Sequence, residues 1–268
     1  MTTTENPARV RFGAELRRLR EAAGVTQNEL ARTLGCSDGW VSTLENGRKL
    51  SEASAIDLDT HFGTGEKFTM LCELAAEVDL MTVLPPGFAQ YVDHEGHATT
   101  LRVFSALLVN GLFQTEDYAR AVLEASNPAN ADALLAKRLD RQKVLTREGL
   151  EHVWLTLDER VLRDTIGGRE VMRGQLRHLL DASRNPFVSL RVVPQGSGYY
   201  EGLEGSFTIL GFQESMAHVA YVEATGSGML FQAPHQVKDF LVRYDLIGDH
   251  ALTVTESPTL IESILKEL

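Results

Sequence analysis

"GCSDGWVSTLENGRK", residues 35–49, decides the fold of the first part of the chain. Gly35 permits a sharp turn, Ser37 stands where a side chain caps a helix, and Val41 and Leu44 recur at helical spacing up to about Asn46. Gly47 then ends the helix, as a glycine in the left-handed conformation does. Just upstream, "TQNEL" opens another helix: Thr26 is a good N-cap, and Glu29, three residues on, completes a capping box. That helix runs to Leu34, so two short helices meet across a tight turn. Leu30, Ala31, Leu34, Val41 and Leu44 form their apolar faces, and the small Ala31 suits a steep, close crossing. This spacing predicts a helix-turn-helix.

Working outward, Arg9–Ala23 reads as an amphipathic helix with Val10, Phe12, Ala14, Leu16 and Leu19 as its apolar members. Arg17, Arg18 and Arg20 fall on wetter faces, and Gly24 stops the helix. Two further helices, about 51–62 and 66–80, complete an all-α domain of five helices over residues 1–80. "VLPPGF", residues 83–88, is a break, and 81–99 reads as a linker. Residues 100–268 have an α+β texture. "HVWLTLDE", "PFVSLRVVP", "GSFTILGF" and "HVAYVEAT" read as strands. "TEDYARAVLEAS" (capped by Thr115), "NADALLAKRLDRQKVLT", "REVMRGQLRHLLDAS", "PHQVKDFLVRYDLIGDHAL" and "SPTLIESILKEL" read as helices. The expectation is a mixed sheet of about four strands flanked by helices.

Composition narrows the function classes. The chain has 268 residues and a formal net charge of −11. Residues 1–50 hold eight basic and six acidic groups, which leaves −13 for the remainder. A polyanion binder needs basic groups at the contact rather than a basic total, and an acidic remainder lowers non-specific sticking. No apolar run approaches the roughly 18–20 residues that span a bilayer, and "MTTTENPARVRF" lacks the apolar core of a signal peptide. A cytoplasmic protein without membrane contact is expected. Cys36 and Cys72 form no CxxC pair, and His94 and His97 are three apart beside Gly96 rather than four apart on a helix. No metal and no cofactor are expected. Without GxSxG, GxxxxGK[ST], HExxH or a Cys–His constellation, neither is an enzyme.

The stretch "LRRLREAAGVTQNELARTLGCSDGWVSTLENGRK" resembles a Cro/C1-type helix-turn-helix domain of the xenobiotic-response-element regulator family. The resemblance is carried by Leu16, Leu19, Gly24, Thr26, Gln27, Leu30, Ala31, Leu34, Gly35, Ser37, Val41, Ser42, Leu44, Glu45, Gly47 and Arg48. The rest of the chain resembles the DUF5753 domain, a Scr1-type, antitoxin-like domain found behind such headpieces in actinobacterial regulators. "LLVNGLFQTEDYARAVL", "RLDRQKVLTRE", "WLTLDERVLRDTIGGREVMRGQLRHLL", "GLEGSFTILGF" and "AYVEA" carry that likeness. The chain departs from the family's pattern at Asn110, where Pro is usual, and around Tyr199, where His is frequent.

The resemblance implies a sequence-specific regulator that binds double-stranded DNA, as a homodimer, on pseudo-palindromic operators. The helix from Ser37 would lie in the major groove. Asp38, Gly39, Ser42 and Thr43 would lie at base edges, with Ser37, the helix cap, also in the DNA-binding set, Trp40 near the sugar-phosphate edge, Gln27 on a phosphate and braced against the next helix, and Arg48 and Lys49 on phosphates. Glu45 would pack or pair within the headpiece. Two roles are open to Asp38, since a carboxylate can read the cytosine amino group or cap the helix. Two are open to Trp40 as well, touching thymine methyls or covering the domain's edge. The large domain reads as a dimerisation scaffold, a sensor for a small-molecule effector, or a docking surface for a small protein. Asp158, Glu159, Arg141, Gln142, Tyr199, Tyr200 and Glu223 are its conspicuous polar points, and "SGYYEG" and "TGSGML" its glycine-bearing loops. The alternative function is an antitoxin-like protein that neutralises a small partner protein and autoregulates its operon.

Overall fold

The computed structural model describes residues 6–37, 39–48, 50–213, 218–224 and 227–268, with 80–82 described by backbone alone. The chain divides into two compact units, residues 1–83 and 84–268. The first holds α1 (Pro7–Ala22), α2 (Gln27–Thr33), α3 (Trp40–Glu45), α4 (Glu52–Phe62) and α5 (Lys67–Val83). Local chemistry sets most of the boundaries. Asn6 caps α1 by accepting from the Ala8 and Arg9 amides, with Pro7 in the first turn where its missing N–H costs nothing. The Thr26–Glu29 capping box opens α2 as its sequence predicts. Asp59, buried on α4, accepts from the Phe68 and Thr69 amides at 2.9 Å each and so caps the start of α5. Burial pushes the Asp59 carboxyl up, but bonds from Thr64, Phe68 and Thr69 outweigh it and hold the group below the usual range.

The apolar stripes of these helices converge on one core of Phe12, Leu16, Leu30, Ala31, Val41, Leu44, Leu58 and Phe68. Val10, expected on the apolar face, is instead exposed. Helix α1 crosses α3 at Gly13, where a Cβ would overlap the Glu45 carbonyl oxygen. This explains a glycine in mid-helix, which would otherwise be replaced with profit by alanine.

The second unit runs α6 (Phe88–Glu95), β1 (Thr100–Ser105), α7 (Glu116–Ser126), α8 (Ala131–Arg141), β2 (His152–Asp158), α9 (Arg160–Arg163), α10 (Arg169–Ser183), β3 (Val188–Val193), β4 (Phe207–Gly211), β5 (His218–Ala224), β6 (Ser227–Phe231), α11 (Pro234–His250) and α12 (Glu256–Glu267). The strands form one mixed sheet in the order β3-β2-β1-β4-β5-β6. Its first three members are parallel and its last three pair antiparallel. The sheet therefore has six strands, not about four. The two unforeseen ones lacked the usual signal for physical reasons. Strand β1 alternates polar and apolar only over residues 100–103; the buried Phe104 and Ser105 then break the pattern, and the apolar run continues past the strand through residues 106–109. Strand β6 is a five-residue edge containing Gly228, which reads as a loop. The expected linker 81–99 also holds α6, whose Tyr91 is buried in the core of the second unit.

Strand alternation gives the sheet two different faces. Leu101, Val103, Leu155, Leu190, Leu210 and Tyr221 point to one, under α6, α7, α10 and α12. Phe104, Phe207, Ile209 and Ala220 point to the other, under Val237, Tyr244 and Ile247 of α11. Asn110, at the position where Pro is usual, caps a single 3-10 turn (Gly111–Phe113) by accepting from the Leu112 amide at 3.0 Å. Among the described residues, no helix is long and apolar enough to cross a membrane.

The Gly13 crossing is testable. In an open helix Gly→Ala stabilises by up to about 1 kcal/mol. Gly13→Ala should instead destabilise the first unit by about 1–3 kcal/mol, because the backbone of α3 cannot yield without repacking. Chemical denaturation followed by circular dichroism measures this, and a more stable variant would refute the close crossing.

Candidate nucleic-acid interface

The first unit's exposed polar side is organised by one buried acid. Glu45, the last residue of α3, has a side chain with 0% exposure. It accepts from Arg20 Nε at 2.5 Å and Nη2 at 3.3 Å, from Arg17 Nε at 3.2 Å, and from Gln27 Nε2 at 2.8 Å. Arg17 and Arg20 are on α1 and Gln27 opens α2, so one carboxylate ties three helices together. Burial pushes the Glu45 carboxyl up, while the bonds from Arg20, Gln27 and Arg17 more than compensate and hold it below its usual range. Arg20 also donates to the Val25 carbonyl at 3.0 Å, fixing the chain between α1 and α2. The sequence placed Arg20 on a wet face, yet its side chain is only 12% exposed, because its partner is buried. A second clamp involves Arg9, which donates to the Gly47 carbonyl at 2.9 Å and to Asp79 of α5. It fixes the turn that follows α3.

The recognition-helix residues take these positions. Helix α3 starts at Trp40, with left-handed Gly39 (φ 83°) as its N-cap and no side-chain cap. The expectation that Ser37 caps it is thus corrected: Gly39 turns the chain after Ser37, which is left exposed two residues before the cap. Trp40 is partly buried against the headpiece core. Ser42 and Thr43 are half-buried, and Thr43 Oγ1 donates back to the Gly39 carbonyl at 3.0 Å. Gln27 is half-buried with its amide nitrogen on Glu45. Arg48 is exposed just past the Gly47 turn. Asp38 and Lys49 lie outside the described residues. Sequence reasoning passed over Arg17, which is half exposed (53%) while still bonded to Glu45. Its signal was the i,i+3 pairing of Arg17 with Arg20 on α1, opposite an acid in the turn-forming motif.

The polar points singled out in the second unit do not form one site. Asp158 is buried at the end of β2, where it accepts from the Arg160 amide at 2.8 Å and from the buried Tyr200 hydroxyl. Glu159, also buried, accepts from Arg163 Nε at 2.6 Å and the Gln195 amide at 2.7 Å. These three are satisfied by their own surroundings, and burial together with the bond to Asp158 pushes the Tyr200 hydroxyl's pKa up. Tyr199 is 70% exposed and donates to Glu204 at 3.1 Å. Glu223 stands on β5, in a separate group that includes Arg141 of α8.

Comparison with known protein families agrees with this division of the chain. A helix-turn-helix domain family matches residues 11–67, and a domain of unknown function, DUF5753, matches residues 88–263. No curated protein and no solved structure matches the chain.

Glu45→Gln should cost the first unit on the order of 3 kcal/mol, the effect of removing one partner from a buried ion pair. Since the carboxyl's folded pKa lies below its ordinary 4.5, its contribution is present above that pH and is lost as pH falls through the folded value. The native chain should therefore lose more stability than Glu45→Gln on acidification below about pH 4.5. Parallel acid-titrated melts of the two proteins check this, and equal slopes would remove Glu45 from the acid-sensitive set.

Proposed function

Because the chain belongs to the DUF5753 family and carries a helix-turn-helix domain ahead of it, we propose that it is a sequence-specific transcriptional regulator that binds double-stranded DNA as a homodimer. The reading rests above all on the Glu45 clamp. A helix enters the major groove productively only when its angle to the preceding helix is fixed, and Glu45 fixes α3 to α2 and α1 at once.

In this reading Ser37, Gly39, Ser42 and Thr43 face base edges, with Asp38 beside them. Arg48, Lys49, Arg17 and Gln27 meet phosphates on either side. The side chains of Ser42 and Thr43 are short and Thr43's hydroxyl is engaged with its own helix, so each headpiece reads few bases. Low affinity per headpiece is offset by pairing two of them, which favours inverted-repeat operators. The second unit supplies the pairing and the control of activity, and we assign it no catalytic role. The net charge of −7 on residues 84–268 disfavours that unit's own contact with DNA.

Selection of sites from a random DNA pool with the full chain tests the reading. The expected sites are inverted repeats whose half-sites lie about one helical turn apart, roughly 10 base pairs centre to centre. Recovery of single half-sites would overturn the dimer, and recovery of no enriched sequence would overturn specific binding.

Salt dependence tests the phosphate contacts separately. Arg48→Ala with Lys49→Ala should flatten the slope of log K against log salt by up to about two units, near 0.9 per lost contact. Arg17→Ala should flatten it by roughly one more. An unchanged slope takes the residue concerned off the phosphate surface.

A further inference from the structure

The two faces of the six-stranded sheet are covered unequally. The face under α6, α7, α10 and α12 is closed, and its buried ion pair is satisfied: Arg141 donates to Glu95 at 2.5 Å and to the Tyr91 hydroxyl at 3.3 Å. The opposite face has α11 alone. Phe240 packs on Phe207 and Phe231, and Val237, Tyr244 and Ile247 share a core with Phe104, Ile209 and Ala220. The Tyr244 hydroxyl reaches on to Thr156 Oγ1 at 2.9 Å and to the Trp154 carbonyl at 3.2 Å.

At the starting ends of β1, β2 and β3 this cover gives out. Thr100, Arg102, His152, Trp154 and Ser189 are only half-buried there, in adjacent register positions of the three strands. They form an organised group. The Arg102 guanidinium lies 4.5 Å over the Trp154 ring, the His152 ring packs against the same indole at 4.5 Å, and His152 Nε2 is 2.8 Å from Ser189 Oγ. Among the described residues Arg102 has no carboxylate within 4.0 Å. Phe187, just before β3, is 56% exposed. Tryptophan and arginine held in place by their own contacts are the residues that anchor protein interfaces.

Helix α11 carries the complement on its outer side. Arg243 pairs with Glu204 of the 3-10 turn Glu201–Glu204, and His250 packs on Tyr200, so one flank faces the carboxyl ends of β1, β2 and β3. At roughly 100° per residue, Asp245 and Asp249 fall on the other flank, towards the open corner, with Lys238 two turns earlier. Val242 and Leu246, 49% and 42% exposed, form the outermost ridge. Neither Asp245 nor Asp249 has an ion-pair partner among the described residues.

We propose that the open corner is filled by α11 of a second copy of this chain. Val242 and Leu246 of one protomer lie on Trp154 and Phe187 of its partner, and Asp245 and Asp249 lie beside Arg102. The two α11 helices then sit side by side between two sheets, each completing the helix layer that the other sheet lacks. The contact is isologous: the cationic, aromatic corner and the acidic, aliphatic ridge each occur once per protomer, and a two-fold axis joins both pairs at once. A partner of another kind would match only one of these surfaces. The proposal rests on the homodimer reading above and names its contact.

Sedimentation velocity of the full chain at micromolar concentration, without DNA, tests it. The native chain should be a dimer. Arg102→Glu sets like charges against Asp245 and Asp249, and Asp245→Arg sets one against Arg102, so each variant alone should dimerise at least about tenfold more weakly. An equimolar mixture of the two should recover the dimer, because both contacts between positions 102 and 245 again join opposite charges. Leu246→Glu, at an exposed ridge position, should weaken the dimer to a similar degree without a partner variant. Far-ultraviolet circular dichroism of each variant should match the native chain. The interface is overturned if the native dimer is left unweakened by Asp245→Arg and Leu246→Glu, or if the two folded charge variants stay apart when mixed; the homodimer reading survives either result. A native chain that is monomeric both free and on DNA overturns that reading, and this contact with it.

Discussion

The helix-turn-helix unit depends on one carboxylate. Short helices such as α2 and α3 have little stability of their own, and their mutual angle is what a groove-binding surface must hold constant. Buried apolar contacts supply adhesion but are weakly directional. Glu45 adds direction: three donors from two other helices converge on it, in surroundings where leaving its carboxylate unpaired would be costly. Gly13 complements it on the same contact by letting α1 approach the α3 backbone without a side chain between them. Two short polar or backbone devices thus position a helix that the core alone would leave free to slide.

The same clamp connects packing to the proposed contact surface. Arg17 and Gln27 each spend part of their hydrogen-bonding capacity on Glu45 and keep the rest near the exposed side. A phosphate arriving there would meet donors whose conformations are already fixed, so little rotamer entropy would be lost on binding. The acid that helps build the site is withdrawn from solvent and neutralised, and it does not oppose the DNA. The acidic excess lies outside residues 1–50, with −6 on residues 51–83 of the first unit and −7 on residues 84–268. An overall charge of −11 and a locally basic contact are therefore compatible.

The second unit uses polarity differently. One sheet face is crossed by a single long helix, α11, over aromatic side chains. The other is closed by several helices and admits a cluster of arginine, glutamate and tyrosine into an apolar layer. Most of that cluster is self-sufficient, while the Tyr221 hydroxyl beside it is buried without a partner. Asp158, Glu159 and Tyr200 looked as promising in the sequence, but they hold the ends of strands and turns together.

The sequence by itself determined the first unit in most of its detail. Caps, capping boxes and helix-ending glycines act within a few residues, and so "TQNEL" and the Gly47 turn were legible before any contact was known. The same locality made Thr115 and the α10 boundaries readable in the second unit. Tertiary structure alone decided the six-stranded order, because β1 alternates over only four residues before it runs into a longer apolar stretch and an edge as short as β6 never acquires the pattern. It also decided which polar residues matter. Arg20 and Arg141 resemble solvated charges in sequence, and only the arrival of Glu45 and Glu95 from distant segments buries them. A local pattern can specify a turn of chain, but whether a charged group is satisfied or left wanting depends on partners brought in by the fold.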